Sequence, residues 1–335
     1  MTATEVHKAE LDRPRRFPRI LKRGAKVAGI AIVALAITVT AASIGYNLAT
    51  DAPAPRPAHL FFAKGGGWDT RYLKWGTRGT AVVLVPGAFE TADTFAKLGP
   101  VLAKNHRVFA IDLSGTGYSA PKPPFSAGHL AVQILAFLTT EHLTGPNAPA
   151  LVGHSAGAAD VGIAALQDPS AVKGVVFLDG DATPFPFPAF LGAIASTLFI
   201  NPHRTSVLRL ALSQDSLIKN IYNSACGPTC PRLGEAGVNI WRWPLEQPGF
   251  QAEITYSMRH GITAMTSAQF AALKATAVPK LVVTGAGDPE MPHSDAALTA
   301  QRIGAPAPVY VPGRHLTMIT SPRQVAAAID SLGMR

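Results

Sequence analysis

The 335-residue chain has little charge and little cysteine. Charged residues make up 15% of it and hydrophobic residues 47%, a composition that excludes a wholly disordered protein. Two cysteines exclude a disulfide-framework miniprotein and a four-cysteine zinc site. The length allows one large domain or two modest ones, each with a sizeable hydrophobic core.

The net charge of +9 is concentrated at the N-terminus. Residues 1–26 hold eight of the 30 Lys and Arg residues and three of the 21 acidic ones, whereas residues 27–50 carry no charge. The remainder contains no basic block, so nucleic-acid binding is not indicated.

The uncharged run at residues 27–46, VAGIAIVALAITVTAASIGY, is predicted to be a transmembrane helix. A helix of that length rises about 30 Å, the thickness of the hydrocarbon layer of a bilayer. Because basic flanks stay inside, we expect 1–26 to be a cytoplasmic tail, 27–50 a single-pass anchor in the cell membrane, and the rest extracytoplasmic. Two alternatives remain open: a cleaved signal segment, which would release a secreted protein, and a buried core helix.

Residues 51–67 are predicted to be a linker, because three prolines there are followed by three consecutive glycines. Residues 68–335 then alternate short apolar runs with helical stretches, the pattern of a doubly wound, mostly parallel α/β sheet. The predicted strands are 72–75, 81–85, 107–112, 150–153, 175–179, 280–284 and 308–311, and the predicted helices include 130–142, 157–166, 267–277 and 323–332.

A segment at about 183–265 interrupts this alternation and is predicted to be a helical cap inserted over the strand ends. Its opening stretch, 184–200, is apolar and carries no charge, so it is expected to line an acyl pocket, to face the nearby membrane or to pack the cap onto the core. The aliphatic and aromatic members of this stretch are Phe185, Phe187, Phe190, Leu191, Ile194, Leu198 and Phe199. Cys226 and Cys230 flank a Gly-Pro turn, and in an oxidising compartment they are expected to form a disulfide.

The pentapeptide Gly153-His154-Ser155-Ala156-Gly157 lies between a predicted strand and a predicted helix. G-x-S-x-G in this context is typical of a nucleophile elbow, where a sharp turn exposes a serine hydroxyl and needs small neighbours. The alternative is an ordinary glycine-rich turn. We predict Ser155 to be a nucleophile.

A serine nucleophile requires a base and an orienting acid. His315 follows the last predicted strand and Asp288 the one before it, so the chain order is Ser, Asp, His. We predict His315 as base and Asp288 as acid. Asp179 and Asp181 follow an earlier strand and remain alternatives for the acid.

An oxyanion hole needs backbone N–H groups aimed at the developing charge. The predicted donors are Ala156, which follows the nucleophile, and Ala88, in the loop after strand 81–85. Phe89 is the second choice for the latter, and a plain β-turn explains Pro86-Gly87 equally well.

The run Gly115-Thr116-Gly117-Tyr118-Ser119-Ala120 imitates a dinucleotide-binding motif. That motif requires a helix to begin at once, but three prolines follow within five residues. We therefore predict a loop beside the site and no nucleotide cofactor.

Together these motifs resemble the α/β-hydrolase superfamily, in its serine-nucleophile branch with a cap, over residues 68–335. The resemblance rests on PGAF at 86–89, DLSGTGYS at 112–119, GHSAG at 153–157, GAGDPEMP at 285–292 and GRH at 313–315. The chain departs from many members at Pro86, where they carry histidine before the glycine. A serine at the elbow, in place of aspartate, disfavours the epoxide-hydrolase and haloalkane-dehalogenase branches.

The resemblance implies a serine esterase or lipase-like hydrolase of carboxylic esters, acting on a small-molecule substrate with an apolar acyl group. No metal or organic cofactor is implied. Two alternatives stay open: an acyltransferase or metal-free perhydrolase that uses the same triad, and a non-catalytic scaffold on a hydrolase fold.

Overall fold

The computed structural model describes residues 17–185, 192 and 199–333 of the chain. The predicted cap positions Phe187, Phe190, Leu191, Ile194 and Leu198 lie outside the described residues, as does most of the tail at 1–26. By their contacts the residues form two units, one made of the chain up to Ala52 with Asn201–Ser206 and the other of the remainder.

The first unit is built on helix α1, Phe17–Ala49. Its stretch Lys22–Ala49 is long and apolar enough to cross a membrane by length and composition, and its side chains are exposed. A signal sequence passes the same test, so length and composition alone do not separate an anchor from a cleaved segment. Near its C-terminal end, the hydroxyl groups of Thr40 and Ser43 hydrogen-bond the two ring nitrogens of His203 at 3.2 and 3.0 Å.

The second unit contains one sheet of eight strands in the order β1-β2-β4-β3-β5-β6-β7-β8. The strands are β1 Phe61–Gly65, β2 Trp68–Trp75, β3 Ala81–Val85, β4 Arg107–Ile111, β5 Ala150–His154, β6 Gly174–Leu178, β7 Lys280–Gly285 and β8 Val309–Val311. The β1–β2 and β2–β4 pairs are antiparallel and all the others are parallel. The predicted doubly wound, mostly parallel α/β sheet is confirmed.

The edge strand β1 lies inside the segment that the sequence analysis interpreted as a linker. Phe61 pairs with Tyr72 and Gly65 with Trp68, so the ladder extends the folded unit to Phe61. Gly66 and Gly67, the glycines expected to loosen the connection, both have positive φ and form the tight turn between β1 and β2.

The helices after α1 either pack against a face of the sheet or belong to the segment between β6 and β7. They are α2 Leu98–Leu102, α3 Ala127–Thr140, α4 Gly157–Gln167, α5 His203–Leu212, α6 Asp215–Cys226, α7 Glu235–Arg242, α8 Pro248–His260, α9 Ser267–Ala275, α10 His293–Ile303, α11 Thr317–Thr320 and α12 Pro322–Asp330. Val83 and Val85 of β3 point into one core with α3, α4, α9 and α10, whereas Val82 and Leu84 point into the core on the opposite face. Burial on both faces explains why the strands read as unbroken apolar runs.

The cap between β6 and β7 contains α5 to α8, and α6 ends at a disulfide. Cys226 and Cys230 are bonded, with their Cα atoms 5.8 Å apart, which confirms the predicted pairing. His315 N–H donates to Ala225 O at 3.0 Å, so the end of α6 is held against the loop that carries the predicted base.

Candidate active site

Ser155 lies in a turn between β5 and α4 that only small neighbours permit. Its φ is +49°, in the left-handed region that costs a non-glycine residue energy. A Cβ on Gly153 would collide with the carbonyl of Gly157, and one on Gly157 would approach Pro86 O to 2.5 Å. The sequence therefore forms a tight elbow that presents Ser155 at the carboxyl edge of the sheet.

Three side chains form a hydrogen-bonded chain at that edge. Ser155 Oγ lies 2.9 Å from His315 Nε2, and His315 Nδ1 lies 2.9 Å from Asp288 Oδ2. With Nδ1 protonated, the ring donates to the carboxylate and accepts the serine hydroxyl, the arrangement that a general base requires. Asp288 Oδ1 also accepts the N–H of Glu290 at 2.8 Å, which fixes the carboxylate.

The alternative acids do not contact the His315 ring. Asp181 accepts hydrogen bonds from the N–H and hydroxyl of Thr183, so it stabilises a local turn. Asp179 is fully buried and accepts from Gly285 N–H at 2.9 Å and from the N–H and hydroxyl of Thr317. Asp179 thus hydrogen-bonds both the loop that carries Asp288 and the loop that carries His315.

Electrostatics favours the protonated form of His315. Burial lowers its pKa, but the hydrogen bond and charge of Asp288, together with the charges of Glu290 and Asp179, raise it to about 9. Glu290 Oε2 lies 3.4 Å from His315 Nε2. The imidazolium that forms when serine loses its proton is therefore stabilised.

A buried ion pair that the sequence analysis missed lies under the elbow. His154 Nδ1 donates to Glu90 Oε2 at 2.7 Å, and His154 Nε2 donates to the backbone carbonyl of His315 at 2.8 Å. Burial raises the pKa of Glu90, but the charge and hydrogen bond of His154 lower it below its ordinary value. Burial likewise lowers the pKa of His154, which Glu90 nevertheless raises. The sequence contains a hint of this pair, because His154 stands directly before Ser155 in the pentapeptide and Glu90 follows the loop after β3.

Glu90 also holds the loop that carries the predicted oxyanion donors. Its Oε2 accepts the N–H of Gly87 at 3.0 Å, and Phe89 has a φ of +62°, so the loop turns sharply at Ala88. Ala88 and Ala156 line the same cavity as Ser155 and His315. Both residues that carry the predicted donors therefore line the cavity that also contains Ser155.

The glycine-rich loop at 112–119 supports the site and does not begin a helix. Asp112 is buried and accepts the N–H groups of Ala92 and Tyr118 at 2.8 Å each. The guanidinium of Arg71 bonds Asp112 at 3.1 Å and Asp93 at 2.8 Å. The next helix, α3, begins only at Ala127, so the helix that a dinucleotide motif requires is not there.

A cavity of about 710 Å³ opens above the serine. Its walls are mainly apolar, contributed by Phe185, Ile218, Tyr222, Trp241, Leu245 and Phe250. Among the described residues of the apolar stretch 184–200, Pro184 and Phe185 line the cavity, and α6 and the segment 241–250 contribute much of the remaining apolar wall. No group of three or more His, Cys, Asp or Glu side chains that could hold a metal ion occurs within the described ranges 17–185, 192 and 199–333.

Comparison with known proteins identifies the family. The model of the alpha/beta hydrolase family matches residues 82–328, most of the chain. This chain belongs to the alpha/beta hydrolase family. The resemblance drawn from its motifs is confirmed.

Curated relatives match shorter stretches. Polyketide synthase ThaQ of Burkholderia thailandensis is 30% identical over 146 residues, covering 40% of this chain and 7% of that protein. A serine hydrolase-like protein of Dictyostelium discoideum is 30% identical over 118 residues, covering 34% of this chain and 33% of that one. The chain thus spans a third or less of the length of either relative.

Solved structures share the fold over nearly the whole molecule. A membrane phospholipase A, described as a bacterial virulence factor, superposes with a TM-score of 0.65 at 18% identity and covers 96% of this chain and 99% of its own. At that identity the likeness establishes the fold of this chain and no more.

Proposed function

We propose that the protein is a serine esterase that cleaves carboxylic esters through an acyl-enzyme on Ser155. The observation that carries this proposal is the hydrogen-bonded chain from Ser155 through His315 to Asp288, with 2.9 Å at each step, at the base of an apolar cavity. Membership of the alpha/beta hydrolase family supports hydrolysis as the reaction.

In this mechanism Ser155 Oγ bonds to the ester carbonyl carbon while His315 Nε2 takes the hydroxyl proton. Asp288 keeps the imidazole oriented and stabilises its positive charge. The N–H groups of Ala88 and Ala156 hold the negatively charged carbonyl oxygen. The alcohol leaves with the proton from His315, and a water molecule deprotonated by His315 then releases the acid and restores Ser155.

The apolar cavity supports a substrate with an apolar acyl chain. Burial of each methylene contributes about 0.8 kcal/mol, so two methylenes bound in the transition state raise kcat/KM by roughly tenfold until the cavity is full. The experiment is kcat/KM for p-nitrophenyl esters from acetate to laurate. We expect values to rise from acetate to short or medium chains, and a monotonic fall from acetate onward would contradict an acyl role for the cavity.

A variant that fills part of the cavity tests the same point. Ile218 lies in the cavity wall and is buried, so Ile218→Trp should move the optimum to shorter chains. Leu298→Trp, at an exposed position of α10 that does not line the cavity, is the control and should keep the wild-type optimum. Competing alcohols in the same assay would reveal acyl transfer, if it occurs, as transesterification.

We further propose that α1 anchors the protein in the cell membrane with the hydrolase domain on the extracytoplasmic side. The exposed apolar stretch Lys22–Ala49, the basic residues before it and the disulfide at Cys226 and Cys230 support this topology. The structural neighbour that is a membrane phospholipase A is consistent with it. Protease added to intact spheroplasts should digest the domain, and a protected domain would refute the orientation. A mature protein that begins near residue 50 would identify a cleaved signal.

A further inference from the structure

A second, smaller cavity lies beside the predicted oxyanion donors. It measures about 30 Å³, and it shares Ala88, Phe89, Ala156 and Thr263 with the large cavity above Ser155. A water molecule needs about 10–15 Å³ measured in this way, so the space admits one or two non-hydrogen atoms. Beside apolar residues such as Phe125 and Leu130, this space, called here the polar side pocket, is lined by oxygen-bearing side chains that do not line the large cavity, namely Ser114, Thr116, Asp160, Glu253 and Ser257.

Asp160 is the more deeply buried of the two carboxyl groups in the polar side pocket. It lies in the first turn of α4, is 1% exposed, and its Oδ1 has no hydrogen-bond partner among the described residues. Burial raises its pKa well above the ordinary value, and a hydrogen bond with Thr263 opposes the shift only in part. A buried carboxyl oxygen without a partner costs free energy, which a ligand that donates a hydrogen bond would recover.

Glu253 adds a second such oxygen from the cap. Its Oε1 accepts the hydroxyl of Ser257 at 2.8 Å, but its Oε2 is buried with no partner in the described part of the chain. Burial raises its pKa to about 7. Gly115 makes this approach possible, because a Cβ there would come within 2.7 Å of Glu253 Cβ. Gly115, in the 112–119 loop, therefore allows the carboxyl group of Glu253 to reach the pocket.

We propose that the polar side pocket binds a hydroxyl group carried on the acyl chain of the substrate, close to the ester carbonyl. This inference rests on the proposed function, which places the carbonyl oxygen at Ala88 and Ala156, two of the residues that line both cavities. The pocket therefore adjoins the position of the carbonyl group, and its volume of about 30 Å³ admits only a small group such as a hydroxyl. The preferred substrates are hydroxyacyl esters, whose apolar remainder occupies the large cavity.

The test compares p-nitrophenyl 3-hydroxybutanoate and 2-hydroxybutanoate with butanoate, using the full-length wild-type protein in detergent. A hydrogen bond to a buried group that otherwise lacks one should raise kcat/KM for one of the hydroxyl esters by about 5- to 150-fold over butanoate. Equal or lower values for both would overturn the inference while leaving the proposed function intact, and would show that the pocket holds water. If the protein hydrolyses none of these three esters, both the proposed function and the inference are refuted. A larger gain for 3-aminobutanoate would overturn the choice of a hydroxyl group.

Two variants assign the gain to the pocket. Asp160→Leu and Glu253→Met remove the carboxyl groups but keep the side-chain bulk, and each should bring the ratio of hydroxyl ester to butanoate towards one. Glu253 is on a partly exposed cap helix, so its variant serves if Asp160→Leu does not fold. The matched control is Glu246→Gln, which changes a cap carboxyl that lines neither cavity, and its ratio should equal that of the wild type. A ratio unchanged in both pocket variants would contradict the assignment.

Discussion

The buried pair of Glu90 and His154 should stabilise the fold and position the site together. Glu90 is 11% and His154 0% exposed, and the two groups are 2.7 Å apart. Removal of one partner from a buried pair costs about 3–5 kcal/mol, because the other charge is left without a partner. We therefore expect Glu90→Ala to lower the free energy of unfolding by about that amount. Glu90→Gln, which keeps the shape and one acceptor oxygen, should cost about 1–3 kcal/mol.

The cost should depend on pH in a specific way. The pKa of Glu90 is lowered in the folded state, so its contribution is complete above the ordinary value of 4.5 and is lost as pH falls through the folded pKa. The pKa of His154 is raised, so its contribution is complete below the ordinary value of 6.5 and is lost as pH rises through the folded pKa. The difference in unfolding free energy between wild type and Glu90→Gln should be greatest between these two values.

Urea denaturation from pH 4 to pH 9 measures this difference, and kcat/KM measures the effect on the site. Since Glu90 holds Gly87 N–H, and His154 holds the carbonyl of His315, we expect a fall of roughly 10- to 100-fold, mainly in kcat. Glu246→Gln, on the cap and not in contact with His154, is the control. A stability difference that is the same at every pH, or a Glu90→Gln variant with wild-type kcat, would refute this reasoning.

Three further predictions follow from the site. Asp288→Asn should lower kcat by several orders of magnitude, as in other triads, and Asp181→Asn should change it little, because of these two carboxylates Asp288 hydrogen-bonds the His315 ring and Asp181 bonds Thr183; the reverse order would make the assignment of the acid wrong. His315 must be neutral to act as base, and its pKa is about 9, so kcat/KM should rise with pH towards that value. Glu290→Gln removes a charge beside the ring and should move this rise to lower pH. A profile that levels off near pH 6.5 in both proteins would contradict the assigned electrostatics. Arg71→Met should cost about 3–5 kcal/mol in urea denaturation, because it leaves the fully buried Asp112 without its cation; a variant as stable as wild type would show that Asp112 is neutral.

The parts of the fold that could be predicted are those that local sequence determines. Strands such as β3 and β5 are buried on both faces, so their apolar runs are unmistakable, and Gly153 and Gly157 mark the elbow because nothing larger fits. The edge strand β1 was missed for the opposite reason. Buried and exposed residues alternate only weakly along β1, and the glycines after it suggested a flexible connection. Its pairing with β2 depends on the whole hairpin and is not marked by any residue of β1 alone.

The site shows the same division. Ser155, Asp288 and His315 follow separate strands, and parallel topology brings the ends of those strands to one edge. Glu90, His154 and Asp160 were not assigned roles, because what distinguishes them is burial and the partner across the fold. An exposed carboxyl group in a loop and one buried beneath Ser155 cannot be distinguished in the sequence, because they differ only in their tertiary contacts.

The central claim is that Ser155 forms an acyl-enzyme during ester hydrolysis. The direct measurement is peptide mapping by mass spectrometry after acid quench of the full-length protein mixed with excess p-nitrophenyl butanoate for milliseconds. The account predicts a butanoyl group on the peptide that contains Ser155, appearing with a burst of p-nitrophenol, and neither the adduct nor turnover in Ser155→Ala. Hydrolysis that persists in Ser155→Ala, or an acyl group on another residue, would contradict it.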